Sequence, residues 1–246
     1  MVAVIEPATL IAHCGANKIT LDELREVAVP EATRTHKPVA HATIVDTITE
    51  SLTLRRINVV RQEFAVTPDG MRCFGVLDLS TEREEFRFSI GFRNSNDKSL
   101  RLALTAGVRI FVCDNLAFRG EFTPVLAKHS KSLALTDTIV LGVDKIQRQF
   151  DPFAQQIEGW KGWQLTDEAA KVFLYDTFFS EEYGDWFPKA LLPDVHRHYF
   201  EPLPEFQPRN VWSMQNAFTS AFKELKPVNQ FKLTAKLGNY FTRRWG

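Results

Sequence analysis

A period of two runs through residues 86–93: Phe86, Phe88, Ile90 and Phe92 alternate with Arg87, Ser89, Gly91 and Arg93. Successive side chains of a strand point to opposite faces, so the pattern predicts a strand with one apolar face turned to a core. Two further runs precede it. INVVRQEFAV (57–66) is rich in β-branched residues and ends at the tight-turn sequence TPDG, and MRCFGVLDL (71–79) alternates until STEREE closes it. Each connection is too short for a crossover helix, which makes the three runs an antiparallel meander. Beyond the polar knot NSNDKS, Leu100, Leu102 and Leu104 keep the strand period, with a short helix over 98–106 as the alternative. Gly107 then punctuates, and VRIFVC (108–113) reads as another strand ended by CDN. The expected sheet has about four to five strands.

Other stretches repeat at helical spacing. HATIVDTITESLTLR (41–55) places Ile44, Val45, Ile48 and Leu52 on one helical face. Ile139, Val143, Ile146, Phe150, Phe153, Ile157 and Trp160 follow a heptad seam, with Pro152 inside it to kink or split the helix. TDEAAKVFLYDTFF (166–179) begins with a Thr cap and acidic residues in its first turn. WSMQNAFTSAFKELK (212–226) sets Met214, Phe218, Ala221, Phe222 and Leu225 on one side before Pro227 stops it. Residues 1–40 read as an irregular segment with one short helix near 21–27, broken by Pro30 and Pro38. The fold class is therefore α+β: an antiparallel meander core over 41–130, and a helical region over 131–246 that packs on it.

Composition changes this picture little, and charge somewhat more. A hydrophobic content of 44% and a charged content of 24% are those of an ordinary globular protein. No apolar run approaches the roughly 18–20 residues of a membrane span, and the N-terminus lacks the basic region of a secretory signal. The cysteines Cys14, Cys73 and Cys113 show no paired spacing, so a reducing cytoplasm is expected. The net charge of +0 conceals an acidic block and a basic tail. Residues 151–206 hold 4 Lys/Arg against 11 Asp/Glu, and residues 207–246 hold 7 against 1. Such blocks can bind each other within a chain or across subunits, and the tail can also bind phosphates.

Known catalytic signatures are absent from the sequence. There is no GxxxxGK[ST] loop, no GxGxxG after a strand, no GxSxG elbow and no HExxH helix, and no cofactor is expected. The pair His196 and His198 has no third ligand nearby and reads as solvated. Cys113 beside Asp114 reads as a small core residue at a strand end. A restriction-type nuclease would need an acid-x-Lys pair one strand after Pro68-Asp69. Here Asn96-Asp97-Lys98 has an amide at the acid position and the wrong spacing.

What stands out is a basic set along the meander: Arg55, Arg56, Arg61, Arg72, Arg87, Arg93, Lys98, Arg101, Arg109 and Arg119. Guanidinium donors match phosphate oxygens two at a time. The competing reading is that these residues solvate the exposed face of a one-sided sheet. Asn94, Asn96, Asp97, Asp114 and Asn115 read first as turn residues that bond to backbone amides left open at strand ends.

The segments THKPVAHATIVDTI, FGVLDL, NSNDKS, FVCDNLAF and NAFTSAFKEL resemble a family of phage- and plasmid-encoded proteins classed as a domain of unknown function, over roughly residues 25–240. That resemblance implies mobile elements and a bacterial cytoplasm, and it carries no catalytic residues. The order of elements also looks like the core of the single-strand annealing proteins such as phage Redβ and RecT, which assemble into rings or filaments and hold single-stranded DNA by its backbone. The resulting expectation is a non-enzymatic protein of recombination or replication that binds single-stranded DNA, not a membrane, and self-associates. Its binding residues are expected to be Arg93, Asn94, Lys98, Arg101 and Arg109. Two alternatives come from other classes. One is a protein-binding factor that modulates a host or defence protein through the acidic block; the other is an enzyme built on the loops at 94–98 and 113–115.

Overall fold

The computed structural model describes residues 16–83, 86–110, 116–118, 124–223, 225 and 227–245. The fold is α+β, and the chain divides into two compact units. The first is Met1–Asp114 with Phe122–Phe150, and the second is Asn115–Glu121 with Asp151–Gly246. The helix at 135–147 thus falls in the unit that holds the sheet.

The first unit is built on strands β1 (Asn17–Ile19), β2 (Val59–Val66), β3 (Arg72–Glu82), β4 (Phe86–Ser95) and β5 (Leu102–Ile110), all antiparallel neighbours in chain order. A further strand, β7 (Val125–Ala127), pairs with β5. Two details differ from the sequence pattern. The segment before β2 adds an edge strand, β1, ahead of the expected short helix α1 (Leu21–Arg25). Residues 102–110 form one continuous strand through Gly107, whose lack of a side chain weakens a strand without breaking it. The TPDG turn forms as expected, with Gly70 at φ 70°, where a side chain would be strained.

Helix α2 (His41–Thr53) and helix α3 (Leu135–Gln147) pack together in this unit. Ile44, Val45, Ile48 and Leu52 of α2, Ile139, Val143 and Ile146 of α3, and Phe86, Phe88, Ile90 and Phe92 of β4 are all buried. The Phe88 and Phe150 rings stack at 4.3 Å. Gly142 lets α3 approach the sheet, since a Cβ there would lie 2.3 Å from Val125.

The other face of the sheet is polar and of mixed exposure, with Arg61 exposed and Arg87 and Arg93 half-buried. Alternation puts Glu63, Asp78, Ser89, Thr105 and Arg109 there, and every one of them is buried. Arg109 is 4% exposed and forms ion pairs with Asp78 at 2.6 Å and Glu63 at 3.3 Å. Ser89 donates to the other oxygen of Asp78, and Arg61 donates to the other oxygen of Glu63, both at 2.7 Å. Buried charges persist only when paired in this way.

The second unit is helical, with short strand β6 (Leu116–Phe118) and helices α4 (Phe150–Gly162), α5 (Asp167–Phe179), α6 (Leu192–Phe200), α7 (Val211–Phe222) and α8 (Pro227–Trp245). The heptad seam therefore splits between α3 and α4, and Pro152 falls in the first turn of α4, where its missing N–H costs nothing. Phe153, Ile157 and Trp160 are buried like the four seam residues before them. Thr166 caps α5 as expected, and Asn210 caps α7. Residues 211–219, 221 and 222 of α7 are all buried. Around α7 lies a cluster of rings that includes Phe173, Phe178, Phe187, Phe218, Tyr240 and Phe241. Pro227 ends one helical pattern and opens α8, a nineteen-residue helix that the sequence pattern does not announce. Among the described residues no helix is long and apolar enough to cross a membrane.

Candidate nucleic-acid interface

The knot NSNDKS after β4 works first as a fastener. Asn94, fully buried, donates from Nδ2 to Val39 O at 3.1 Å and to His41 Nδ1 at 2.8 Å. His41 Nε2 donates onward to Gly70 O at 2.9 Å, which fixes the ring as the neutral tautomer. Burial lowers the pKa of His41, in keeping with that role. Asn96 accepts from Val39 N at 3.0 Å and donates to Val39 O at 3.1 Å, pairing one side chain with a whole peptide unit as a neighbouring strand would. The two asparagines thus tie residues 39–41 to the end of β4.

Asp97 closes the turn. It accepts from Ser99 N at 2.9 Å, from Arg72 Nε at 2.8 Å and from Ser95 Oγ. Partial burial works against its charge, yet these hydrogen bonds hold its carboxyl well below the usual carboxylate range. Asp69, the other acid of the nuclease pattern, accepts from Thr67 Oγ1 at 2.5 Å and Met71 N at 3.0 Å. Both carboxylates are therefore engaged by their own turns. No cluster of three or more His, Cys, Asp or Glu that suits a metal ion occurs among the described residues.

The arginines of the meander separate into different environments. Arg61, Arg72, Arg87 and Arg109 are ion-paired with Glu63, Asp97, Glu82 and the Glu63–Asp78 pair respectively. Arg55 donates to Ser51 O at 2.7 Å and Val140 O at 3.3 Å. Arg93 is half-buried on β4, and burial lowers the pKa of its guanidinium. Of the five binding residues expected, Asn94 and Arg109 thus lie inside the fold, with the Asn94 amide nitrogen and the Arg109 guanidinium already engaged by protein groups.

Lys98 and Arg101 are different. Both are exposed, and both line a pocket of about 440 Å³ together with Thr35, His36, Ser99, Leu100, Lys128, His129 and Ser130. Lys98 occupies the left-handed region at φ 66°, uncommon for a residue with a side chain and a feature that concentrates at working sites. The strand register explains the rest. β5 pairs with β7 as Leu102↔Ala127, Ala103↔Leu126 and Leu104↔Val125. One step further along this antiparallel register, Arg101 falls opposite Lys128. Like charges directly across a ladder repel. No Asp or Glu is among the residues that line the pocket.

His36 and His129 stand at the same place. Ser130 bridges to His36, and the two histidine rings meet edge to face at 5.7 Å. The His36 nitrogens sit 2.9 Å from His129 O and 3.1 Å from Asn96 O, so this ring locks three segments together. His129 is 5% exposed, and neither of its ring nitrogens makes a hydrogen bond. Burial is the main cause lowering its pKa, with the His36 ring adding to the effect and the Lys37 backbone opposing it. A buried polar ring without a partner is an exception that calls for a ligand or water.

Nothing in the sequence pattern points to Lys128, His129 or His36. They lie on segments far from NSNDKS in the chain, and only the β5–β7 pairing and the His36–Ser130 bridge bring them to it. The pair His196 and His198 sits on helix α6, where residues two apart do not face each other, and His196 packs on Phe200 at 4.5 Å. Arg119, Cys113, Asp114 and Asn115 lie outside the described residues, and with them the CDN loop. The basic tail meets the acidic block inside the second unit: Arg209 pairs with Asp167 at 3.3 Å and Arg244 with Asp176 at 3.8 Å. No family model, curated protein or solved structure matches the chain.

Proposed function

We propose that this protein binds single-stranded nucleic acid through its phosphates and performs no chemistry on it, in the recombination or replication of a phage or plasmid. One observation carries the reading. Lys98, Arg101 and Lys128 line one pocket that holds no carboxylate, while Arg61, Arg72, Arg87 and Arg109 are ion-paired within the fold. Clustered cations of this kind attract a polyanion, and the release of condensed counterions supplies the free energy. No Phe, Tyr or Trp lines the pocket, so the bases add little there and binding tolerates any sequence.

Anisotropy of a labelled single-stranded oligonucleotide, titrated at several salt concentrations, tests this. Affinity should fall steeply with salt. Replacing Lys98 and Arg101 with Ala should weaken binding, and should flatten the slope of log K against log salt by about 0.7 for each phosphate that is no longer neutralised. Absence of binding at low salt refutes the reading.

A further inference from the structure

The pocket carries more positive charge than one link of a strand can neutralise. A phosphodiester contributes a single negative charge, and two of its four oxygens are committed to ester bonds. A phosphate monoester carries about −1.5 to −2 at neutral pH and presents three free oxygens. Three cationic residues line the pocket, with Ser99 and Ser130 beside them. The Arg101–Lys128 juxtaposition is unfavourable until an anion lies between the two charges. His129 lies almost fully buried beneath this lining.

The size of the pocket agrees. At about 440 Å³ it falls in the range of sites that enclose a small molecule, and a phosphate alone would occupy only part of it. Thr35 and Leu100 supply the less polar lining that a sugar or base could rest against. The volume therefore suits a phosphate with a nucleoside attached.

We propose that this pocket is an end-binding site, which takes the terminal phosphate monoester of a single strand between Lys98, Arg101 and Lys128. This inference rests on the nucleic-acid reading above, and it predicts a preference that the general reading does not. Internal phosphates are held wherever the cations reach, but only a strand end brings the dianion that the pocket matches.

The test compares oligonucleotides of one sequence with a 5′-phosphate, a 3′-phosphate or hydroxyls at both ends, and adds a nucleoside monophosphate and inorganic phosphate as competitors. One phosphorylated end should bind about tenfold more tightly than the hydroxyl strand. A nucleoside monophosphate should compete better than inorganic phosphate, and should remove the preference without displacing the hydroxyl strand fully. Lys128→Glu is the diagnostic variant. It replaces a like-charge pair with an opposite-charge pair, so its melting temperature should hold or rise while the end preference disappears. Equal affinity for phosphorylated and hydroxyl strands overturns the inference and leaves the nucleic-acid reading intact. If the monophosphate binds and no oligonucleotide does, both fall, and the pocket serves a small phosphorylated metabolite.

Discussion

Arg101 and Arg109 lie at the two ends of one strand, and the fold uses them in opposite ways. Arg109 is buried between Glu63 and Asp78, and both carboxylates are held further by Arg61 and Ser89. Arg101 is exposed at the start of the strand, opposite a lysine and beside a pocket without acids. In the middle of the sheet a guanidinium is desolvated, and it is stable there only because its partners come with it. At the strand end the charge stays hydrated and costs little, and it has no ion pair among the described residues. The first arrangement serves the fold, and the second leaves a charge available for something else. The same residue type, in the same alternating run, therefore means structure at one position and binding at the other.

Arg109→Ala leaves Asp78 buried without a cation and takes one of its cations from Glu63, and breaking a buried pair typically costs about 3–5 kcal/mol. The midpoint of chemical denaturation should fall accordingly, or the protein should fail to accumulate in folded form. Arg109→Lys keeps the charge without the planar fork and should recover only part of the loss. A loss below about 1 kcal/mol for Arg109→Ala would mean that the face is hydrated after all.

The alternation and short connections of residues 57–93 make the meander legible, because a period of two leaves few other solutions. The helical faces of α2, α5 and α7 are equally plain, and so are the capping Thr166 and the turn at Gly70. The burial of part of the second sheet face is not legible. Ser89, Thr105 and Arg109 look polar one at a time, and nothing local says that they face Glu63 and Asp78 across the ladder. Helix α8 escapes for a different reason. Its polar, lysine-bearing pattern, with Gly238 in its interior, gives a weak local helix signal, whereas in the fold Leu237, Tyr240 and Phe241 are fully buried. Half of the pocket is in view in the sequence as Lys98 and Arg101. The other half comes from a strand pairing between segments that share no motif.

Acid should affect the fastener that holds the pocket in place. His41 has a pKa lowered by burial, as does His129, so in both cases the unfolded chain binds a proton more readily than the folded one. Stability from these groups is then complete above the unfolded value of about 6.5 and declines as the pH falls through it towards the folded values. Each group can contribute a slope of at most about 1.4 kcal/mol per pH unit. Asp97, Asp69 and Glu23, whose pKa values are also lowered, begin to matter only near pH 4 and below, so the window from about 6.5 to 5 isolates the histidines. Denaturation midpoints should drop across that window, and His41→Gln should flatten the drop. A midpoint independent of pH there would show that neither ring is held neutral.

The smallest effect separates the two arginines most sharply. Arg101→Ala removes one member of a like-charge pair and no hydrogen bond seen within the fold, so stability should stay within about 0.5 kcal/mol and change, if at all, towards greater stability. The sign is the informative part. Repulsion between Arg101 and Lys128 is screened by salt, since exposed charges lose their mutual influence beyond roughly 10 Å at 0.1 M ionic strength. The melting temperature of the wild type should therefore gain more from added salt than that of Arg101→Ala, and the two curves should converge as salt rises. Added inorganic phosphate should raise the wild type further than chloride of equal ionic strength, because an anion that binds only the folded state stabilises it by mass action. If Arg101→Ala instead cost more than about 1 kcal/mol at every salt concentration, Arg101 would have a structural partner like that of Arg109. The contrast between the two ends of the strand would then disappear.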